Sequence, residues 1–153
     1  MGIFQIKGGK SLKGELIPQG AKNEALQVIC AVLLTEHKVI IRNIPKIRDV
    51  TILIELLMQM GVEVSQLNEK DYQFHAKKIN LDYLKTQSFR EKSASLRGSI
   101  MIIGPLLARF GCGYIPSPGG DKIGRRRLDT HFVGFQKLGA EFTYNDDKKM
   151  VLS

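Results

Sequence analysis

Apolar and polar positions along the chain form two blocks that share one order of elements. The longer apolar runs have helical spacing, and the shorter ones are bounded by turn residues as strands are. The first block predicts a helix, a strand, a second helix and two strands: Lys22–Glu36, Val39–Arg42, Asp49–Met60, Val62–Leu67 and Tyr72–Ala76. The second block predicts the same series: Ser93–Phe110, Gly113–Ile115, Leu128–Leu138, Ala140–Tyr144 and Met150–Leu152. A further predicted strand, Gly14–Pro18, precedes both blocks.

The two blocks align as an internal repeat with one insertion. Leu34 aligns with Leu107 at an offset of 73 residues, whereas Gly61 aligns with Gly139 at an offset of 78. Both glycines follow a periodic apolar run, where a glycine usually ends a helix. The additional residues of the second copy therefore fall between these points, in the segment 116–131. We expect a lead-in strand region over 1–20, a first repeat unit over 21–80 and a second over 81–153.

Each unit reads as roughly β-α-β-α-β-β, so the expected fold class is α/β (α+β). The helices are apolar over most of their circumference, which predicts that they are buried among other elements. Pro105 lies inside the predicted third helix and indicates a kink, because proline removes a helical hydrogen bond. Repeats with buried helices and outer sheets usually need at least three copies to enclose a core. Two copies predict an incomplete lobe of something larger.

Composition indicates a globular, basic protein. Of the 153 residues, 43% are hydrophobic and 25% charged, which suits one folded core and argues against disorder. A net charge of +8 favours an anionic partner such as nucleic acid, anionic lipid or a phosphorylated small molecule. Aromatic residues make up only 7%, which argues against a base-stacking surface.

Targeting and metal signals are weak. The longest apolar run, Ile100–Leu107, is too short to span a bilayer, and the first ten residues lack a signal peptide's apolar core. We therefore expect a soluble cytoplasmic protein with no membrane contact. Cys30 and Cys112 fit no metal or redox spacing and are expected to be free thiols. The histidines at 37, 75 and 131 show no metal spacing either, so no metal site is predicted.

The segment GAKN at 20–23 is a candidate anion site. It stands between the predicted strand Gly14–Pro18 and the first helix. Lys22 would supply a point charge and Asn23 an amide, beside the unpaired N–H groups of a helix start. An exposed lysine next to a capping residue explains the same pattern equally well.

Arg97 is a second candidate, in the context SASLRGSIMII of the predicted third helix. An arginine on a buried helix must be paired or must face a cavity. A structural salt bridge and an anion ligand at the open end of the helix are both compatible with the sequence.

The third candidate is the segment 116–131, PSPGGDKIGRRRLDTH. Gly119 and Gly120 allow tight folding over a ligand, and Arg125–Arg127 precede a helix start that also favours phosphate. Asp121 is expected to be ionised by default, because neighbouring positive charge lowers a carboxyl pKa. A solvated patch or a nucleic-acid contact is the common reading of such a segment. Its position by repeat symmetry, beside the corresponding end of the first unit, favours an anion site.

With these motifs in hand, the chain is seen to resemble a known family. The runs GAKNEAL, SLRGSIMIIGPLLARFG and PGGDKIGRRRLDTH followed by LGAEF are similar to the N-terminal part of the UDP-N-acetylglucosamine 1-carboxyvinyltransferase (enolpyruvyl-UDP-GlcNAc synthase) family, within the EPSP synthase-like enolpyruvyltransferases. The resemblance covers essentially the whole chain. The sister family that makes enolpyruvylshikimate phosphate shares the fold and ranks second, because its signatures differ at both sites.

The resemblance implies a fold and a reaction. The fold would be an inside-out α/β barrel, with two lobes of three repeats each and helices inside the sheets. The reaction would transfer the enolpyruvyl group of phosphoenolpyruvate to the 3′-hydroxyl of UDP-N-acetylglucosamine and release phosphate, the first committed step of peptidoglycan synthesis. It would proceed by addition and elimination, with no metal or cofactor. The partners would be these two substrates and a C-terminal lobe of the same chain, and not nucleic acid.

The resemblance also implies residue roles. Lys22 would bind the phosphate of phosphoenolpyruvate, with Asn23 beside it at both substrates. Arg97 would contact UDP-N-acetylglucosamine, Arg126 would act in catalysis and phosphoenolpyruvate binding, and Asp121 would be the general acid that protonates the methylene carbon. The pocket for UDP-N-acetylglucosamine would include Arg126, Arg127, Leu128, Asp129, Thr130 and His131.

Two departures from the family pattern affect these roles. Many members carry cysteine at the position of Asp121, where fosfomycin alkylates it, so a carboxylate there predicts intrinsic fosfomycin resistance. Arg127 replaces a residue that is often proline. The family's enzymes are also much longer, so this chain would carry half of an active site. A nucleic-acid-binding module and an oligomerising regulatory half-lobe stay open as alternatives.

Overall fold

The structure is a computed structural model that describes residues 3–115, 128–145 and 148–152. Within these ranges the α-helices are α1 Lys22–Ala31, α2 Arg48–Gln59, α3 Gln87–Ser95, α4 Ile103–Phe110 and α5 Asp129–Lys137. The strands are β1 Lys38–Ile41, β2 Glu63–Gln66, β3 Tyr72–His75, β4 Cys112–Ile115, β5 Glu141–Asn145 and β6 Lys148–Leu152. Three 3₁₀ segments join them: Val32–Leu34, Leu81–Lys85 and Arg97–Ile102. The helices and strands predicted for the first block are confirmed within a few residues, as is the α/β class.

The two halves of the chain repeat one sheet topology. The first sheet has the order β1-β3-β2 and the second the order β4-β6-β5, and every pairing is antiparallel. In each sheet the last strand along the chain therefore lies in the centre. The two outer strands run parallel to each other and are joined through one helix, α2 or α5. The internal repeat seen in the sequence is thus a repeat of structure.

The first sheet packs one face on the core. Val39, Phe74 and Val64 lie in one row across the three strands, since Val39 pairs with Phe74 and Phe74 with Val64. Phe74 is fully buried, and its two neighbours are half-buried against the same cluster. Alternation along the strands turns this row inward and the next residues outward.

The main core is shared between the two halves. Its largest fully buried side chains come from α1, α2, β3, α3 and α4 and from the residues that directly adjoin these helices: Ile29, Leu33, Leu53, Leu56, Leu57, Met60, Phe74, Phe89, Ile102 and Leu106. A smaller cluster in the second half centres on Ile103, with Phe132, Phe135 and Phe142 half-buried around it. The second half therefore contributes to the core chiefly through the helices before its sheet.

Left-handed glycines end the second helix of each unit, as predicted. Gly61 has φ +99° and Gly139 has φ +96°, which other residues adopt only with strain. At Gly61 an added Cβ would also lie 2.7 Å from the carbonyl oxygen of Lys78, so a side chain has no room there.

Two predictions about elements are wrong. The strand Gly14–Pro18 does not form, because within the described ranges no strand pairs with the segment 3–20. The helix Ser93–Phe110 is divided into α3, a 3₁₀ segment and α4, with extended backbone at Leu96. Pro105 falls in the first turn of α4, where its missing N–H has no helical partner to lose. The 3₁₀ segment Leu81–Lys85 and the residues of α3 before Ser93 were not predicted from the sequence.

The expectation that every helix is buried over most of its surface is wrong for α5. None of its residues is fully buried. Its apolar contacts run from Phe132 and Phe135 to the cluster around Ile103, while Val133 is 49% exposed. Within the described ranges, the apolar contacts of α5 lie on one face.

Candidate active site

Lys22 and Asn23 open α1, as the sequence predicts. The helix begins after Ala21, which has extended backbone and offers no side-chain cap to the first N–H groups. Helix α2 likewise begins after Ile47 without a side-chain cap. Both helix starts leave backbone donors and a positive dipole end available to an anion.

Lys22 pairs with an acid that the sequence analysis did not single out. Its Nζ lies 2.9 Å from Oδ2 of Asp49, in the first turn of α2. The pair joins the starts of α1 and α2, which also pack against each other. Helix α5 also has an acid in its first turn, Asp129, but the repeat offset of 78 residues does not align it with Asp49.

A close backbone contact fixes the approach to α1. At Gly20 an added Cβ would lie 2.1 Å from the carbonyl oxygen of Asn43 and 3.1 Å from Cδ of Pro45. Only glycine fits at this distance, and it stands two residues before Lys22. The loop 43–45 is therefore the surface against which the start of α1 is placed.

Asp71 braces that loop from the other side. Its Oδ1 accepts the N–H of Asn43 at 3.0 Å and its Oδ2 accepts Nδ2 of Asn68 at 2.8 Å. The hydrogen bonds from Asn68 and Asn43 hold the pKa of the Asp71 carboxyl below its usual value. Asn43 has φ +58°, a conformation that asparagine tolerates better than most residues. The hydrogen bond to Asp71 stabilises this backbone conformation of Asn43. The contact between Asn43 and Gly20 then fixes the position of the loop relative to the start of α1.

A small cleft lies between the first turn of α1 and the loop 41–45. Its volume is about 130 Å³, and its polar lining comes from Glu24, Arg42 and Asn43. Sites for drug-sized ligands are typically several hundred Å³. This cleft is large enough for a small anion or a few waters and too small for a nucleotide sugar.

Arg97 is placed beside α1 by a glycine contact. The residue starts the 3₁₀ segment Arg97–Ile102 and is half-buried. At the next position, Gly98, an added Cβ would lie 3.0 Å from Cδ1 of Leu26 on α1. Leu26 is one turn beyond Lys22, so the segment that begins with Arg97 lies against the first half of α1.

Residues 128–131 lie at the start of another helix. Leu128 is half-buried at the N-cap of α5, and Asp129, Thr130 and His131 are exposed in its first turn. This helix again has no side-chain cap. The structure thus links Lys22, Asn23 and Arg97 to α1 and places 128–131 on α5.

The predicted Asp121, Arg125, Arg126 and Arg127 lie outside the described residues. Among the described residues, no three His, Cys, Asp or Glu side chains lie close enough together to bind a metal ion. No helix within the described ranges is long and apolar enough to cross a membrane.

Comparison with solved structures gives the class of fold. The enolpyruvyl transferase NikO from Streptomyces tendae matches with a TM-score of 0.72 at 17% sequence identity, over 95% of this chain and 31% of that protein. At such low identity the likeness concerns the fold alone. The fold is therefore that of part of an enolpyruvyl transferase.

Sequence comparison gives the family. The family described as EPSP synthase (3-phosphoshikimate 1-carboxyvinyltransferase) matches residues 6–152, and the chain belongs to it. UDP-N-acetylglucosamine 1-carboxyvinyltransferases from Bacteroides fragilis, Porphyromonas gingivalis and Bradyrhizobium diazoefficiens are 55%, 56% and 44% identical to it. These alignments cover 98%, 96% and 94% of this chain but 35%, 34% and 32% of the relatives. The chain spans about a third of the length of the curated relatives it matches.

Proposed function

We propose that this chain supplies the N-terminal part of an enzyme that transfers the enolpyruvyl group of phosphoenolpyruvate to the 3′-hydroxyl of UDP-N-acetylglucosamine. The observation that carries the proposal is the 55% identity to enzymes of that name along 98% of the chain. The two open helix starts at Lys22 and Asp49 support it, because they offer a cation and backbone donors to a phosphate.

The residue roles follow the chemistry of addition and elimination. The 3′-hydroxyl oxygen forms a bond to C2 of phosphoenolpyruvate and releases its proton to water, while Asp121 gives a proton to C3. The bond from C2 to the phosphate oxygen then breaks, phosphate leaves with the bonding electron pair, and C3 loses a proton to water to restore the double bond. Lys22 and Arg126 bind the phosphate, and Asn23 contacts both substrates.

The remaining roles concern the nucleotide sugar. Arg97 contacts it from beside α1, and the stretch from Arg126 to His131 lines its pocket. Asp121 acts as an acid only in a state that excludes water, since the arginines that follow it in the sequence otherwise favour the charged carboxylate.

The proposal extends to the complete fold. The repeat units 21–80 and 81–153 form two of three units in one lobe of an inside-out α/β barrel, and the segment 1–20 pairs with the other lobe. Exposed apolar side chains support this arrangement, because a further unit would cover them: Val28, Leu34, Met58, Val133 and Leu138 are 44% to 86% exposed.

Binding and turnover test the proposal separately. In a ¹⁵N titration of the chain, phosphoenolpyruvate should perturb amides at 20–24, and Lys22→Ala should weaken that response while the exposed Lys7→Ala should not. Phosphate release with both substrates should be absent. Release that is lost in Asp121→Ala would contradict the half-site and indicate a complete site rebuilt by self-association. Binding unaffected by Lys22→Ala would contradict the proposed function.

The name of the family favours one second candidate, the 3-phosphoshikimate reaction. The acceptor distinguishes the two. If shikimate 3-phosphate perturbs the amides at 97 and 128–131 at lower concentration than UDP-N-acetylglucosamine, the second candidate is correct. Duplex DNA that binds with a steep salt dependence would instead favour a nucleic-acid module.

A further inference from the structure

The ammonium of Lys22 has a defined partner before any substrate binds. Its Nζ lies 2.9 Å from Oδ2 of Asp49, and the two side chains are 44% and 40% exposed. A lysine side chain has four rotatable bonds and loses rotamer freedom when it is fixed. At a helix start a free cation is also unfavourable. A carboxylate at this distance selects one position for the ammonium and lowers the cost of keeping it there.

We propose that Asp49 is a positioning residue for Lys22, an inference that rests on the proposed function. An ammonium has three N–H donors. One is directed at Asp49, which leaves two for the phosphoryl oxygens of phosphoenolpyruvate. Asp49 thereby holds the cation between the first turns of α1 and α2, where the backbone donors of both helices are open. Its effect on binding passes through Lys22.

Simple charge counting predicts the opposite effect. A carboxylate beside the ammonium repels an incoming phosphate, so its removal should tighten binding if Asp49 merely neutralises Lys22. A second structural account assigns Asp49 to the helix dipole of α2, because acids in a first turn stabilise a helix. That role predicts a loss of thermal stability but no dependence of the binding effect on Lys22.

Another ion pair on the same helix provides a matched control. Glu55 of α2 accepts from Lys92 Nζ at 3.1 Å and is 52% exposed. Glu55→Gln changes the net charge by the same amount as Asp49→Asn and breaks an ion pair of similar exposure. It does so away from the starts of α1 and α2.

The test is a ¹⁵N titration of the 153-residue chain with phosphoenolpyruvate at low ionic strength. Asp49→Asn should raise the Kd by a factor of about three, the scale of an exposed ion pair, and Asp49→Ala should raise it further because the acceptor is also lost. Glu55→Gln should leave the Kd unchanged or slightly lower. In a Lys22→Ala background, Asp49→Asn should have no further effect. Melting temperatures identify any variant that fails to fold, and Asp49→Asn keeps an acceptor at the same place.

Each other outcome overturns the proposal in a distinguishable way. Tighter binding by Asp49→Asn would mean that the carboxylate only competes with phosphate. An equal loss with and without Lys22 would mean that Asp49 acts through the helix. If Lys22→Ala itself leaves the Kd unchanged, the proposed function fails and the positioning role fails with it.

Discussion

Removal of the Arg109 side chain should lower the free energy of unfolding substantially, because this charged group is largely buried. Arg109 lies on α4, and its side chain is only 13% exposed. Its Nη1 donates to the carbonyl oxygens of Leu33, Thr35 and Ala76 at 3.0, 3.0 and 2.7 Å. The guanidinium thus connects α4 to the 3₁₀ segment that continues α1, and α1 and this segment together form the α1 region, residues 22–35. It also connects α4 to Ala76, directly after β3.

The structure sets the magnitude of the Arg109→Ala effect. Nη1 has two hydrogens shared among three acceptors, and hydrogen bonds to charged groups contribute about 1.5–3 kcal/mol each. Partial access of water lowers that sum, the Glu36 contact at 3.4 Å is exposed and adds little, and stacking over Phe110 adds about 0.5 kcal/mol. We expect a loss of about 3 kcal/mol in the free energy of unfolding. Arg109→Lys should lose about half as much, because an ammonium cannot reproduce the planar fork.

Urea denaturation and thermal melting measure this loss. A loss of about 3 kcal/mol corresponds to a fall in Tm of about 6–12 °C for a chain of this size. The matched control is Arg48→Ala, at an exposed position in the first turn of α2 where a cation opposes the helix dipole, and its effect should stay within about 0.5 kcal/mol. If Arg109→Ala is no more costly than this control, the three carbonyl contacts contribute nothing to stability and the reasoning is refuted.

Three further predictions concern other parts of the fold. Gly20→Ala should cost about 1–3 kcal/mol and weaken phosphoenolpyruvate binding, because its Cβ would clash with backbone, whereas Gly14→Ala, with open space around it, should change neither. Iodoacetamide should label the half-buried Cys112 and spare Cys30 until urea is added, which mass spectrometry can follow, since burial raises the pKa of the Cys30 thiol to about 12. The lowered pKa of Asp71 means that its stabilising contribution is full above the usual aspartate pKa of about 4 and is lost as pH falls through the lower folded-state value. Urea midpoints of wild type and Asp71→Asn should therefore differ at pH 6 and converge towards pH 2, and a constant difference would contradict this assignment.

The sequence predicted the repeat and most of its elements because local patterns determine them. Periodic apolar runs, Gly61 and Gly139 define α2 and α5 without reference to distant residues. The division of the third helix at Leu96 could not be read locally, since Gly98 and Pro105 weaken a helix but neither of them marks Leu96 as the position of the break. Contacts made in the folded chain, such as Gly98 against Leu26, decide that break. The prediction of a strand at Gly14–Pro18 was wrong because a strand needs a pairing partner, and a local sequence pattern does not show whether one is present.

The candidate site shows the same division. Lys22, Asn23 and Arg97 could be named as candidates from the sequence because their residue types and positions at element starts suit an anion site, and their roles stay predictions. Asp49 was not singled out, because a single acid in a helical run gives no indication of which lysine it will meet 27 positions away. Asp71 likewise acts through folded geometry, since its contact with Asn43 spans 28 positions. Both contacts lie beside the candidate site, and only the tertiary structure brings them together.

A cation lies at each end of the α1 region, and its effect on stability differs between the two ends. At the C-terminal end, Arg109 donates to the carbonyl oxygens of Leu33 and Thr35, so charge there complements the helix dipole and stabilises the fold. At the N-terminal end, Lys22 adds positive charge to a positive dipole, and its exposed pair with Asp49 offsets only part of that cost. Lys22→Ala should therefore leave the free energy of unfolding unchanged or raise it by up to about 0.5 kcal/mol, while phosphoenolpyruvate binding falls. A variant that loses stability as Arg109→Ala does would show Lys22 to be a structural lysine, whereas stability kept with binding lost is the pattern expected of a residue retained for its ligand.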